Sequence, residues 1–534
     1  MKRIAWSLTL LSLGAVVSAC GGRPDHWEKP LQTPVKHVGL SGSVAVVDPS
    51  LDRVLMLGVT SGRELLSTPL RVGKNVVRAE ASPDRETLFV LSSGVQPRRK
   101  PDDERPSLTV ISGGTTPEVQ ARYTLTDPLQ GLAIDPEGEW AVVFDAGGVV
   151  VNPNELILVK LGTPQADPLP KTIRSFGGRP TRLTFTSELN VPGGAARRLL
   201  IVETEQDVTL VDLSEPTRDE VTLILPQTST GKPGKPAQVD FHDGDPDDPS
   251  DARIAIRLEG DSNVMIVELA APPADEPNKP FKPTVNVADV GGVPTDLAFV
   301  QTDGGLRLAT LVPSRQLATL VDPQTTVAET VAFKKPYSKM ARVTDSVTNK
   351  PIQSDVALLW SNSATGVAFW SLGQTSGTPF RSVDPYEIGI SVANVKSVPG
   401  ATRAHLKILE SASAPEFYVL DLDKRQSFPM LTNASGFQLS VAPDGERAWA
   451  LKPGTPEFAS ITLSDLHPTS IVVERDVTAV YDVARRDAGR AVIALHVVDR
   501  MRSEDGDAVV ALLAPEGDVV ALVLQRLAGE QVVG

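Results

Sequence analysis

The stretch "DFHDGDPDDPSD", Asp240 to Asp251, holds the densest set of oxygen ligands in the chain. Asp243, Asp245 and Asp247 stand at alternate positions. That spacing lets successive carboxylates turn toward one hard cation, and oxygen-only donors suit Ca²⁺. A helix–loop–helix calcium loop also needs Gly at its sixth position and Glu at its twelfth. Counted from Asp243, those places hold Asp248 and Ile254. The competing reading is a solvated acidic turn between two strands.

A second chemistry lies near the start. Lys2 and Arg3 precede "IAWSLTLLSLGAVV", a 14-residue apolar run. It is too short to span a membrane comfortably and has the form of an export signal. Val17-Ser18-Ala19-Cys20 follows directly and resembles the lipobox of bacterial lipoproteins. The resemblance implies cleavage after residue 19, acylation of the Cys20 thiol, and attachment to the membrane through that lipid. Gly21 stands where some lipoproteins carry the aspartate of inner-membrane retention, so the resemblance implies the outer membrane, on its periplasmic face or at the cell surface. The other reading is an ordinary secretory signal, with Cys20 incidental. Cys20 is the only cysteine, so neither an intramolecular disulfide nor a cysteine-rich metal site can form.

Other chemistry leaves little local trace. No G-x-S-x-G elbow and no H-E-x-x-H pair occurs. The six histidines, His26, His37, His242, His405, His467 and His496, are scattered, and His405 and His496 fall within strand-like runs. Trp140, Trp360, Trp370 and Trp449 sit in apolar runs and read as packing residues. The formal net charge is −14, which argues against a nucleic-acid partner, because such binding rests on neutralising phosphates. The mixed-charge segment "QPRRKPDDERPS" (Gln96 to Ser107) and the Pro-rich "APPADEPNKPFKP" (Ala271 to Pro283) read as hydrated loops.

The elements that position these residues are short strands. Paired apolar runs such as "TLFVL" and "LTVI", or "LLIV" and "VTLV", are bounded by Gly, Pro, Asp and Ser. Their near-continuous apolarity implies burial on both faces. The pairs recur about every 50 residues, the period of a four-stranded propeller blade. "GGRPTRLTF" (Gly177 to Phe185), "GKPAQVDF" (Gly234 to Phe241) and "GGVPTDLAF" (Gly291 to Phe299) read as a turn followed by the innermost strand. "SPDRETLFVL", "DPEGEWAVVF" and "APDGERAWAL" each join that strand to the next. In them Pro presets φ, an acidic side chain caps the turn, and Gly or a tolerant residue takes the left-handed position. "SPDRETLFVL", "APDGERAWAL" and units such as "RLLIVETEQDVTLVDL" resemble the YVTN-type repeats of bacterial exported proteins, and "VLMLGVTSGRELL" resembles quinoprotein-like blades.

The expected architecture is therefore all-β, a propeller of about ten four-stranded blades. Ten exceeds the four to eight blades of a common ring, which favours two rings in tandem over one large ring. Candidate seams are 226–236 and 287–294. Residues 1–19 read as the signal peptide, 20–36 as lipidated cysteine and tether, and 37–534 as the propeller region. The expected function is a binding or assembly scaffold at the cell envelope with an envelope protein partner, and the reading leans away from an enzyme. One alternative is a lactonase-like or other propeller hydrolase, which the repeat resemblance implies. Another is a Ca²⁺-dependent adhesion module built on Asp243, Asp245 and Asp247.

Overall fold

The computed structural model describes the chain from residue 36 to residue 525 apart from connecting segments, the longest being 245–251, 344–355, 374–380, 432–437, 473–478, 485–491 and 500–507. Beyond residue 463 only backbone is described. Every regular element among the described residues is a strand, apart from two three-residue 3₁₀ turns. Seven sheets have four antiparallel strands, one has five and one has seven, and in each the main path follows chain order. The seven-stranded sheet is two four-stranded units sharing the strand Val383–Ser397. Its first half pairs with Thr365–Ser371 and its second half with Leu406–Ser411.

This series of four-stranded meanders is a β-propeller. We number its units blades 1 to 10. Their first strands are Lys36–Leu40, Val76–Ala81, Gly131–Ile134, Arg182–Leu189, Pro236–His242, Asp296–Thr302, Lys339–Ala341, the second half of Val383–Ser397, Gln438–Val441 and Ala479–Ala484. First strands of successive blades approach one another, as blade 5 does blade 6 and blade 6 does blade 7, so they lie innermost. Fourth strands such as Lys282–Asp289 and Ala328–Ala332 are largely exposed and form the rim.

The apolar runs follow from packing on both faces. In blade 5, Ile254, Ile256, Met265 and Val267 pack toward blade 4 against Leu199, Ile201 and Leu210. The residues between them, Ala255, Val264 and Ile266, pack toward blade 6 against Leu297, Phe299 and Leu308. A strand alternates its side chains between two faces, and here each face meets a neighbouring sheet. The repeated turn takes its expected form. Arg85 (φ 59°), Gly138 (φ 75°) and Gly445 (φ 68°) occupy the left-handed position three residues into each copy.

Neither expected seam interrupts the packing. The cluster of blades 4 and 5 spans 226–236, and that of blades 5 and 6 spans 287–294. The first strand of blade 10 lies beside those of blade 9 and blade 1, so the series returns to its start. Among the described residues the arrangement is thus one continuous series and not the tandem pair that common blade numbers favour. A sheet with two apolar faces is satisfied by any neighbour that buries both, whatever the total. His496 lies in a strand as expected, whereas His405 sits in the turn just before Leu406–Ser411.

One buried group works against the fold. Lys407 of blade 8 is 0% exposed, and its ammonium donates to the Ser397 hydroxyl at 2.7 Å. Burial pulls its pKa down from 10.5 to about 8. The unfolded chain therefore binds more protons between those values, and stability rises as pH climbs through that window. Below about pH 8 the full cost, about 3 kcal/mol, is present. Lys407→Met should raise the urea midpoint at pH 7 and abolish its rise between pH 8 and pH 10.5; an unchanged midpoint would mean that the ammonium reaches water.

Candidate functional site

Among the described residues, polar groups gather along the inner circle of first strands and in a slot between blades 2 and 3. The inner circle meets a geometric demand first. Neighbouring first strands belong to different sheets, so side chains take the place of a backbone ladder between them. Gln238 of blade 5 pairs with the Leu297 backbone of blade 6 like a peptide group. Its Nε2 donates to the Leu297 carbonyl at 2.9 Å, and its Oε1 accepts from the Leu297 amide at 3.2 Å. Asp296 of blade 6 accepts from Gln238 Nε2 at 2.8 Å and, through Oδ2, from the Met340 amide of blade 7 at 2.7 Å. Asp240 accepts from the Phe299 amide at 2.8 Å and holds both terminal nitrogens of Arg342, at 3.0 and 3.1 Å.

These contacts decide what the carboxylates can do. Burial pushes the Asp296 carboxyl above the ordinary range, against the pull of its hydrogen bonds from Gln238 and Met340. Burial likewise draws the Arg257 guanidinium down. Both groups are engaged: Asp296 in the rungs above, Arg257 donating to the Pro294 carbonyl at 3.1 Å. They serve as rungs between blades. Glu203 is different. It is 2% exposed, its Oε1 has no hydrogen-bond partner, and Arg182 stands 3.5 Å away. Burial raises its carboxyl, partly countered by Arg182.

The slot has a volume of about 510 Å³. Two copies of the repeated turn form its mouth, Ser82-Pro83-Asp84 from blade 2 and Pro136-Glu137-Gly138 from blade 3. Each turn is braced internally. Asp84 Oδ1 accepts from the Ser82 hydroxyl at 2.5 Å and the Glu86 amide at 3.0 Å. Asp135 accepts from the amides of Glu137 and Glu139 at 3.1 and 3.2 Å. Arg198, reaching over from blade 4, donates to Asp135 and lies 3.4 and 3.3 Å from Glu137 and Glu139. The floor is apolar. Phe89, Val110 and Ala121 are successive cross-strand neighbours in blade 2, joined by Tyr123 and by Leu161 of blade 3. Phe89 and Tyr123 are each 3% exposed and belong to the packed core of the two blades.

Of the residues expected to carry chemistry, Cys20, Asp245 and Asp247 lie outside the described residues. Asp243 is described: its Oδ2 accepts from the Ser187 hydroxyl of blade 4 at 3.2 Å, and its carbonyl accepts from the Asn190 amide at 2.9 Å. A group the sequence did not single out is His405, Asp421 and Asp423, whose ligand atoms converge. There Asp421 Oδ1 accepts from the amides of Asp423 and Lys424, and the Lys424 ammonium sits 3.0 Å from Oδ2. Lysine already supplies the positive charge that a metal would bring. Two of the four tryptophans read as packing residues are seen to be so: Trp370 is fully buried, and Trp140 packs between blades 3 and 4. The Trp449 side chain lies outside what is described.

No protein-family profile and no curated protein sequence matches the chain. Among the solved structures it resembles is "Dihydro-heme d1 dehydrogenase NirN in complex with DHE", with a TM-score of 0.39 and 13% identity over 77% of this chain and 75% of that one. Another is apo AztD from Citrobacter koseri, at 0.37 and 10% over 80% and 93%. A third is a eukaryotic initiation factor, at 0.47 and 9% over 89% and 93%. Likeness at this level says nothing of ligand or activity.

The rungs yield a direct test. Asp240→Ala leaves the Phe299 amide without its acceptor and the Arg342 guanidinium with only the Phe299 carbonyl, and should cost about 2 kcal/mol in urea unfolding. Asp240→Asn keeps one acceptor oxygen for Phe299 and should cost less. Equal and negligible losses would show that the inner circle holds without this rung.

Proposed function

We propose that the chain is a binding scaffold held at the cell envelope by a lipid on Cys20, and that the slot between blades 2 and 3 receives its ligand. The observation that carries this reading is the slot itself. Its volume, about 510 Å³, lies within the range of small-molecule sites, and it combines an apolar floor with a few polar groups at a braced mouth. Inner-circle polar groups such as Gln238, Asp240 and Asp296 are spent in joining blades, so the slot is the better-equipped place for recognition. Export and anchoring rest on Lys2, Arg3, the apolar run and Cys20. Acyl chains contribute about 0.8 kcal/mol per buried CH₂, so more than one chain on that cysteine would hold the protein firmly at a membrane.

One observation favours a hydrolase as the second reading. Glu203 is a buried carboxylate with raised pKa, beside a half-exposed Arg182, and so has the character of a proton acceptor. Glu203→Gln would remove any hydrolysis that depends on it while leaving slot binding untouched.

The scaffold reading is tested by comparing the full chain with Cys20→Ala and Ala121→Trp in its host. The full chain should sediment with membranes and co-purify with a ligand or partner after detergent extraction. Cys20→Ala should move to the soluble fraction, and Ala121→Trp should stay with the membranes but lose what co-purifies. Sedimentation of Cys20→Ala to the same extent as the full chain would overturn the lipid anchor.

A further inference from the structure

We infer that the slot between blades 2 and 3 takes a small organic cation with an apolar body, the cationic head held between Asp84 and Glu137 at the mouth. The inference rests on the reading of the slot as a binding site and adds the chemistry of what enters it. Both charged residues of its lining, Asp84 and Glu137, are acidic, and they come from opposite turns. Asp84 commits only Oδ1 to its own turn.

Glu137 has only a share of the positive charge beside it. Arg198 is the guanidinium at this corner, and three carboxylates share it: Asp135, Glu137 and Glu139. Asp135 holds the hydrogen bond to Arg198, while Glu137 and Glu139, about half exposed, stand at ion-pair distance only. One positive charge against three negative leaves this side of the mouth acidic, and Asp84 adds to it from the other side. An anion would meet repulsion from both turns.

The floor decides against a bare metal ion. The lining beneath the mouth, Phe89, Val110, Ala121 and Leu161 among it, is carbon where a hard cation needs a shell of oxygens. An amine or amidinium on an aromatic or aliphatic body satisfies both halves. The body covers the floor, and the head meets the carboxylates. Because the mouth is open to solvent, the charge contribution should weaken with added salt.

The test uses the full chain and a matched pair of probes, 2-phenylethylammonium and its uncharged counterpart 2-phenylethanol, followed by ligand-observed NMR and titration. The ammonium should bind at least tenfold more tightly than the alcohol. Asp84→Asn with Glu137→Gln should erase that preference, and Ala121→Trp, which fills the slot from a partly exposed strand, should remove binding of both. Circular dichroism and melting temperature would confirm that each variant is folded. If the alcohol binds as well as the ammonium and both are lost in Ala121→Trp, the slot is a ligand site and the cation inference is wrong. If ammonium binding survives Ala121→Trp, or neither probe binds at millimolar concentration, both the inference and the slot reading fall.

Discussion

Cohesion between sheets without a shared backbone ladder is the constraint on which this structure depends. Within a blade, strands are joined by a backbone ladder; between blades the joining falls mainly to side chains, with isolated backbone bonds such as that from Asn190 to Asp243. Most of the work is done by apolar packing, with Ile254 and Ile256 facing one neighbour while Ala255 faces the other. Where the first strands crowd together, polar rungs finish the joint, and the amide of Gln238 is the clearest because it reproduces both bonds of a strand pair. The same constraint explains the slot. Packing between blades 2 and 3 is complete around Phe89 and Tyr123, but the turns that crown those blades stand apart at the edge.

The parts of this design that were legible in the sequence are the local ones. A turn such as "DPEG" carries its own conformation, because Pro136 and the left-handed Gly138 act within four residues. Strand runs were legible for a related reason: burial on both faces leaves a composition that no polar-faced strand would have. The rungs were not legible. Asp240 meets Arg342 across 102 residues, and Gln238 meets Asp296 across 58, so neither spacing signals anything until the blades are stacked. The slot was hidden likewise, since its floor and mouth combine two copies of one motif with Ala121 and Leu161, which look unremarkable alone.

The acidic loop shows the limit of reading charge as chemistry. Asp243 was singled out for its spacing from Asp245 and Asp247, yet the contacts it makes run to Ser187 and Asn190 of the preceding blade. Asp135 behaves similarly, tying a turn of blade 3 to Arg198 of blade 4. Carboxylates in this chain repeatedly act as couplings between repeats. Glu203, whose Oε1 takes no hydrogen bond, and the exposed Asp84, whose bonds stay within its own turn, depart from that pattern.

The strand Val383–Ser397 deserves a mechanical view. Its 15 residues leave the rim of blade 7 and become the innermost strand of blade 8 without an intervening loop. Where other successive blades are described, residues outside any strand lie between the last strand of one and the first strand of the next. Here one chain segment runs from the rim of blade 7 to the axis side of blade 8, with its pairing interrupted near Gly389 (φ 79°), where it passes from one blade to the next. Blades 7 and 8 are therefore coupled through one continuous strand as well as through side chains.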